Sequence, residues 1–267
     1  MGIITISRGT KSGGILLAEA LGERLGYKVL SRGAVLAGNP ALQAMEDELW
    51  EEMHNRPPHL WESLESLRTA YICVLRASLM EYAQKGPLIY HANGGQLLLR
   101  GMPGLLRVRI IAPMAKRLQM VIDRRGGTEL EASRYIYEKD ENRTMWNRFL
   151  YNVGSLADCM YYDQVVNLDR MTVEEAADLV VKATTYDVFR WTDDDRRRID
   201  EIALATRVKS VLMQNPNTRM YVLDVAAEGD RIEVTGQEGE EAADEEIRRI
   251  CAAVPGVGKV MINHEFA

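Results

Sequence analysis

The sequence has few cysteines, no long apolar run and no excess of positive charge. The three cysteines, Cys73, Cys159 and Cys251, lie far apart without metal-ligand spacing, which is typical of reduced thiols in a cytoplasmic protein. No apolar run approaches the roughly 18 residues of a membrane span, and the first residues show no signal-peptide pattern. The formal net charge of −6 argues against a general nucleic-acid-binding surface. We therefore expect a cytoplasmic protein with no transmembrane segment.

The chain does contain a regular alternation of strand-like and helix-like segments. Five apolar or β-branched runs predict strands, at residues 2–7, 27–32, 87–92, 105–113 and 163–169. Segments between and after them predict helices, at residues 14–26, 114–124, 129–150 and 172–184. Residues 40–84 are predicted to be mostly helical, with a break at Pro57 and Pro58. The alternation predicts an α/β fold with a parallel sheet and helices on both faces.

The pattern changes after Tyr186, where the charge run WTDDDRRRIDE indicates either a solvated linker or the start of a helix. Beyond it we predict a helix at 199–214, a hairpin at 220–237, a further helix and a last strand. This order, α-β-β-α-β, predicts a small second domain of the α+β class. The predicted boundaries are 1–187 for the first domain, 188–198 for a linker and 199–267 for the second domain.

The stretch ITISRGTKSGG, residues 4–14, runs from a predicted strand into a Gly/Ser-rich turn before a helix. In this layout backbone N–H groups and the helix N-terminus favour a bound anion. The candidate backbone donors are Ser7, Ser12, Gly13 and Gly14, and the candidate cations are Arg8 and Lys11. The P-loop spacing G-x-x-x-x-G-K-[ST] is absent. A plain βα turn, in which the glycines only permit the bend, is the alternative that these residues leave open.

The same stretch, continued to Arg32, resembles the start of the cytidylate kinase-like family, a P-loop nucleoside monophosphate kinase group. Residues matching the family pattern are Ser7, Arg8, Ser12, Gly13 and Gly14. Lys11 stands where the family usually has its first glycine, and Gly14 stands where an ordinary P-loop has its lysine. The resemblance implies a P-loop kinase fold, ATP as phosphoryl donor and Mg²⁺, for which no ligand is identified in the sequence.

The resemblance covers most of residues 1–185. The segment APMAKRLQMVIDRR carries a matching arginine, Arg117, and the segment EASRYIYEKDENRTMWNRF matches an Asp-x-x-Arg pattern at Asp140 and Arg143. In the family, lid arginines close over the transferred phosphoryl group. The resemblance therefore implies Arg8, Asp140 and Arg143 as catalytic residues. It implies nucleotide or phosphate binding at Ser7, Lys11, Ser12, Gly13, Gly14 and Arg117.

Two further arginines, Arg124 and Arg125, stand beside Gly126 and Gly127. A glycine pair beside cations suits the hinge of a moving lid. Solubilising surface charge is the alternative, and for these two arginines the sequence favours it.

The chain departs from the family pattern on the acceptor side. The family's Gly-Arg-Gly after the third strand is replaced by His91, Ala92 and Asn93, and its Asp-Arg after the second strand is replaced by Ser31 and Arg32. The resemblance carries Arg32 over, and the strand-end position adds His91 and Asn93 as acceptor-side candidates. A structural histidine is the alternative for His91.

Residues 199–267 resemble a BON domain in the segments RVKSVLMQNP, RIEVTGQ and AAVPGVGKVMIN. That resemblance implies binding to phospholipid surfaces or to macromolecules. The acidic stretch EGEEAADEE disfavours an anionic bilayer, so a protein or ligand partner is the expectation. A stability or oligomerisation role is the alternative.

Two functions follow from these observations. The first is an ATP-dependent nucleoside monophosphate kinase that acts on CMP or a similar small acceptor. The second is a nucleotide-binding regulator with little turnover, whose BON-like part signals to a partner. The number of cations around the loop discriminates between the kinase and the regulator. Turnover needs at least two cations on the donor phosphates, whereas binding needs only backbone N–H groups and one cation.

Overall fold

The computed structural model describes residues 2–237 and 243–265. The chain divides into two compact units. The first unit comprises Met1–Ala34 and Gly86–Trp191, and the second comprises Val35–Lys85 and Thr192–Ala267. No helix among the described residues is long and apolar enough to cross a membrane.

The first unit is built on a five-stranded parallel sheet with strand order β2-β3-β1-β4-β5. Its strands are β1 (Ile3–Arg8), β2 (Lys28–Leu30), β3 (Leu88–Tyr90), β4 (Leu105–Ile111) and β5 (Gln164–Asn167). Ile3, Ile4 and Ile6 of β1 are fully buried. That burial is expected of a central parallel strand covered on both faces, so the predicted α/β sheet is confirmed.

The α-helices of the described residues follow in chain order. They are α1 (Gly14–Leu25), α2 (Arg32–Ala37), α3 (Pro40–Asn55), α4 (Glu65–Lys85), α5 (Gly95–Leu98), α6 (Met114–Arg125), α7 (Glu129–Tyr151), α8 (Val173–Ala183), α9 (Asp193–Gln214) and α10 (Asp244–Ala252). Short 3₁₀ helices occupy Pro58–Leu64, Cys159–Tyr161 and Asp187–Phe189. A capping box begins α7, because the Thr128 hydroxyl accepts from the Glu131 N–H and the Glu131 carboxylate accepts from the Thr128 N–H.

The core of the first unit joins the sheet to two of its helices. Leu17 and Leu21 of α1 and Val180 of α8 pack in one buried cluster with Ile4 and Ile6 of β1. These contacts anchor α1 against the sheet, so that its N-terminus lies at the carboxyl end of β1. Open α/β sheets bind their ligands at this edge.

The second unit contains a three-stranded sheet made of β6 (Asp224–Glu228), β7 (Arg231–Gln237) and β8 (Lys259–Glu265). Strand β7 pairs antiparallel with β6 and parallel with β8. With α9 before the hairpin and α10 before β8, the predicted order α-β-β-α-β is confirmed.

The bounds of these units differ from the predicted domain boundaries. Helix α9 begins at Asp193 rather than at residue 199, because Thr192 and Asp195 form a capping box and three aspartates favour the helix N-terminus. Ala70 and Cys73 of α4 belong to the same buried cluster as Leu212 and Ile232, which groups residues 35–85 with the C-terminal segment. The division into domains at 1–187, 188–198 and 199–267 stays a prediction.

Candidate functional site

The Gly/Ser-rich turn joins β1 to α1 through residues 9–13. The Ser12 hydroxyl lies within hydrogen-bond distance of the carbonyls of Gly9, at 3.0 Å, and Ile110, at 3.2 Å. Gly13 has a φ of 90°, and its carbonyl accepts the first helical hydrogen bond, from the Leu17 N–H at 3.0 Å. The turn therefore opens the helix at the carboxyl edge of the sheet, as the sequence predicted.

Two glycines of this turn are required by close contacts. A Cβ on Gly13 would lie 2.6 Å from Cδ1 of Leu168, and a Cβ on Gly14 would lie 2.5 Å from Cδ of Arg8. Because Gly13 also has a positive φ, a side chain there would be strained in any case. The aliphatic part of Arg8 thus lies directly on Gly14.

Lys11 adopts the left-handed backbone conformation, with a φ of 58°. This is the position at which the family resemblance placed a glycine. A non-glycine residue there costs on the order of 1–2 kcal/mol. The conformation is one that a glycine would adopt freely, so the lysine is retained at a cost in stability.

Thr10 is the centre of a polar network that we call the loop clamp, formed by Thr10, Arg117, Asp140 and Arg143. The Thr10 N–H donates to Oδ1 of Asp140 at 2.8 Å. Its carbonyl accepts from Nε of Arg117 at 2.7 Å, and its hydroxyl accepts from Nη1 of Arg143 at 2.6 Å. Arg117 and Asp140 also form an ion pair. Three predicted site residues are thereby brought onto the loop.

The loop clamp also controls the charge of Asp140. Burial acts to raise the pKa of this carboxyl, but hydrogen bonds from Arg117 and Thr10 outweigh it and hold the pKa below its usual range. Asp140 is therefore ionised at neutral pH. It orients Arg117 and, at 3.3 Å from Nη1, Arg143.

Asn93 links the loop to helix α7. With its amide oriented to satisfy its neighbours, Asn93 donates to the Arg8 carbonyl at 3.0 Å and accepts from Nε of Arg143 at 3.2 Å. Nη1 of Arg8 donates to the His91 carbonyl at 2.9 Å. The end of β3 and the following turn thus hold both arginines in place.

The half-buried His91 ring is uncharged at neutral pH. Burial first, and then the nearby charge of Arg8, lower the pKa of His91 to about 4. Its Nδ1 is buried and has no hydrogen-bond partner among residues 2–237 and 243–265. A neutral imidazole cannot supply positive charge at neutral pH, so any phosphate contact by His91 would have to be a neutral hydrogen bond.

Two cavities meet at Arg8 and Arg143. The loop cavity, of about 520 Å³, is lined by residues 10–16 of the turn and first helical residues, and by Arg124 and Tyr135. The inner cavity, of about 190 Å³, is lined among others by Ser7, Asn93, Arg109, Asp140 and Asn147. Arg8 and Arg143 line both cavities. The acceptor-side candidates Arg32 and His91 line neither of them; the Arg32 guanidinium lies 5.7 Å from the ring centroid of Trp146.

Arg8 and Arg143 share a desolvated environment. Burial, and then the charge of Arg143, lower the pKa of Arg8 to about 10. Burial also lowers the pKa of Arg143, against the opposing effect of Asp140. Both guanidiniums stay protonated at neutral pH and repel each other, so an anion placed between them would be stabilised.

Comparison with known proteins agrees with this geometry. The sequence profile of the Cytidylate kinase-like family matches residues 3–170. The chain belongs to the cytidylate kinase-like family. Membership supports a nucleotide or sugar kinase in general and does not specify CMP as the acceptor.

Solved structures similar to this cytidylate kinase-like chain are distant in sequence. An uncharacterised protein from Eubacterium ventriosum is 20% identical and has a TM-score of 0.54, covering 69% of this chain and 98% of that one. At this identity the likeness shows the fold alone. A shikimate kinase from Acinetobacter baumannii is 13% identical, with a TM-score of 0.38, covering 69% of this chain and 93% of that one. It is too distant to bear on function.

One curated protein also matches part of the chain. A protein named uronate isomerase from Corynebacterium glutamicum is 31% identical over 104 residues, which are 39% of this chain and 20% of that protein. The cytidylate kinase-like chain therefore spans about a fifth of the length of that relative.

The residues of this cytidylate kinase-like site fit a nucleotide better than they fit a bare metal ion. The loop cavity, at about 520 Å³, falls within the range of small-molecule sites, and its floor is a glycine turn at a helix N-terminus. Among the described residues no group of three or more His, Cys, Asp or Glu side chains could hold a metal ion. Mg²⁺ commonly arrives with nucleotide phosphates and keeps few protein ligands, so this does not conflict with the Mg²⁺ that the family implies.

Sequence reasoning missed two residues of the site. Thr10 carries no motif signal, and its partners Arg117, Asp140 and Arg143 are 107 to 133 positions away. Arg109 alternates with Arg107 in an otherwise apolar strand, a pattern that places one face of β4 in a polar setting. That alternation was the only available signal.

Proposed function

We propose that this protein is an ATP-dependent nucleoside monophosphate kinase that transfers a phosphoryl group to CMP or a similar small acceptor. The observation that supports this proposal most is that Arg8 and Arg143 line both cavities. In phosphoryl transfer, charge on the transferred group is greatest between donor and acceptor, where positioned cations contribute most. The two arginines occupy that boundary.

The donor side of the proposal rests on the loop cavity. Backbone N–H groups of Ser12, Gly13 and Gly14 would cradle phosphate oxygens at the N-terminus of α1. Ser7, the other predicted phosphate-binding residue of this stretch, lines the inner cavity. Four cations line this cavity, at Arg8, Lys11, Arg124 and Arg143. Turnover requires at least two, so the count favours an active kinase. Arg124, for which the sequence favoured a surface charge, is exposed and yet borders this cavity.

The chemistry then follows from positioning. An acceptor oxygen attacks the γ-phosphorus, the bond from this phosphorus to the β,γ-bridging oxygen breaks, and ADP leaves with that oxygen. A dianionic acceptor phosphate loses no proton in this step, whereas a hydroxyl acceptor would release its proton to solvent or to phosphate. Arg8 and Arg143 neutralise the transferred group throughout this step. Asp140, with Arg117, holds Arg143 and the loop in register and so acts as a positioning residue. Mg²⁺ bound with ATP would neutralise the phosphate oxygens that no side chain reaches.

Of the three acceptor-side candidates, only Asn93 lines a cavity of the site. Asn93 lines the inner cavity and binds Arg143, which fits its proposed role. Arg32 and His91 border neither cavity, so their acceptor-side roles stay predictions.

The test is ADP production by the full chain from ATP and Mg²⁺ across a panel of nucleoside monophosphates. Arg143→Ala should lower acceptor-dependent kcat/KM by about 10³-fold, because a charge-stabilising arginine is lost. Arg148→Ala, which removes an exposed arginine from the same helix, is the matched control. Equal losses in the two variants would contradict the proposal.

A second function, a nucleotide-binding regulator with little turnover, is favoured by one observation. The Asp140 carboxylate takes the Thr10 N–H and pairs with both Arg117 and Arg143, so charge that would meet phosphate is already partly neutralised. Under this proposal the C-terminal segment is a BON domain that signals nucleotide binding to a protein or ligand partner in the cytoplasm. The order of α9, β6, β7, α10 and β8 supports that assignment. ATP binding without turnover for any acceptor in the panel would decide for the regulator.

A further inference from the structure

Two arginines on β4 differ in whether a carboxylate neutralises their charge. Arg107 forms a bidentate ion pair with Asp163, with Nε at 3.0 Å and Nη2 at 2.6 Å from its oxygens. Arg109, two positions along the strand, has no carboxylate partner among the described residues. Only its Nη1 donates to protein there, to the carbonyl of Leu156 and to the hydroxyl of Tyr162 at 3.2 Å. Nε and Nη2 of Arg109 are left as a pair of parallel donors.

Tyr162 contacts the guanidinium of Arg109 and so fixes its orientation. The Tyr162 hydroxyl is 2.8 Å from the Leu156 carbonyl and 3.1 Å from Oγ of Ser7, and Nε2 of Gln96 donates to it at 3.1 Å. The guanidinium carbon of Arg109 also lies 5.5 Å from the Tyr162 ring centroid. Because its Nη1 is hydrogen-bonded and its guanidinium lies near the Tyr162 ring, Arg109 presents its Nε and Nη2 donors in a defined direction.

The cavity that Arg109 lines is small and strongly polar. Its volume of about 190 Å³ lies below the range of about 300–1,000 Å³ in which drug-sized ligands are bound. Three arginines line it, Arg8, Arg109 and Arg143, against one carboxylate, Asp140. Since Asp140 is already engaged by Arg117 and Thr10, the cavity has an excess of positive charge.

We propose that the acceptor bound in the inner cavity presents an oxyanion, a phosphate or a carboxylate, to the Nε and Nη2 donors of Arg109. This inference rests on the proposed function, because it assigns the acceptor of the same site. A planar guanidinium edge matches two oxygens of one oxyanion at once. A neutral sugar or nucleoside would leave three guanidiniums facing one engaged carboxylate. The acceptor class is therefore a small acidic molecule.

The experiment is calorimetric binding to the full chain saturated with a non-hydrolysable ATP analogue. Two matched pairs serve as probes: CMP against cytidine for phosphate, and gluconate against glucose for carboxylate. In at least one pair the anionic member should bind about 10- to 100-fold more tightly than the neutral one, as expected for a charge-assisted bidentate contact. The pair that discriminates identifies the source of the oxyanion.

Arg109→Met should abolish that preference, Arg109→Lys should retain part of it, and Arg107→Met, the matched control, should leave it intact. Binding of the ATP analogue reports folding in each variant, and the lysine variant serves if the methionine variant does not fold. No preference in either pair of the wild-type protein, or an unchanged preference in Arg109→Met and Arg109→Lys, would overturn the inference. Absent ADP production would instead count against the proposed function, because the oxyanion contact is judged by binding alone.

Discussion

Two exposed arginines of the second unit differ from the two site arginines of the first unit in how their charge is neutralised. In the second unit Arg197 pairs with Asp194 and Arg249 pairs with Glu246, each three residues away on the same helix and exposed to solvent. In the first unit Arg8 and Arg143 come from a strand end and a distant helix, are half-buried, and line the same two cavities.

The exposed pairs keep a helix surface soluble, whereas the two cavity arginines place positive charge where an anionic ligand could bind. Pairs at i,i+3 form wherever a helix forms, and exposed pairs add little to stability. Like charges brought together by tertiary structure lower stability unless a ligand compensates them. Arginines that the tertiary structure brings together around a cavity are therefore a stronger functional indicator than the number of arginines.

The largest effect that would test this comparison is on turnover. Arg8→Met keeps the aliphatic stem that packs on Gly14 and removes the charge, so we expect kcat/KM to fall by about 10³-fold. Arg249→Met, the control from the second unit, should leave turnover unchanged. Steady-state ADP production measures both, and thermal unfolding checks that each variant is folded. A loss under tenfold for Arg8→Met would break the comparison.

The next effect is on stability in the second unit, where apolar packing rather than charge predominates. Leu212 is fully buried, and Leu212→Ala should lower the free energy of unfolding by about 3 kcal/mol through lost burial and a cavity. Val211→Ala, at a neighbouring position 36% exposed, should cost far less. Urea denaturation measures both. Similar costs for the two substitutions would show that the C-terminal core is not tightly packed.

A smaller effect depends on pH and tests the buried His91. Its folded pKa of about 4 lies below the ordinary value of 6.5, so between these values the unfolded chain binds the proton that the folded chain excludes. Stability should therefore fall as pH drops from 6.5 to 4, by about 1–2 kcal/mol after allowance for the partial exposure of the ring.

Urea denaturation across this pH range should show a shallower decline for His91→Leu than for the wild-type protein. His59→Leu, an exposed histidine of the second unit, should keep the wild-type slope. Parallel slopes for wild type and His91→Leu would mean that His91 does not exclude the proton.

The smallest effect concerns two turns with nearly the same backbone angle. Lys11 in the first unit has a φ of 58°, and Gly229 in the second unit has a φ of 59°. Lys11→Gly should stabilise the fold by about 0.5–1 kcal/mol while weakening ATP binding several-fold, because strain and charge are lost together. Gly229→Ala should cost about 1 kcal/mol. Calorimetry and urea denaturation measure these changes, and tighter ATP binding by Lys11→Gly would refute a phosphate role for Lys11.

Site residues that are close together in the sequence were easier to predict than residues that only the fold brings together. Ser12, Gly13 and Gly14 lie in the predicted strand–turn–helix, because the turn is encoded by adjacent residues. Asp140 and Arg143, which the motif resemblance implied as catalytic residues, hydrogen-bond to Thr10 of the loop. Their roles, with those of Ser7, Lys11, Arg117 and His91, stay predictions.

The sequence by itself determined the elements of this protein: the alternation of strands and helices, the capping box at Thr128, the break at Pro57 and Pro58, and the glycine turn. Each depends on residues a few positions apart, where periodicity and capping chemistry act. Only the tertiary structure decided that Arg109 lines a cavity with no carboxylate partner of its own among the described residues, and that Arg117, Asp140 and Arg143 all hydrogen-bond to Thr10. Those outcomes depend on strand order and on contacts between residues far apart in the chain, for which no local pattern is a guide.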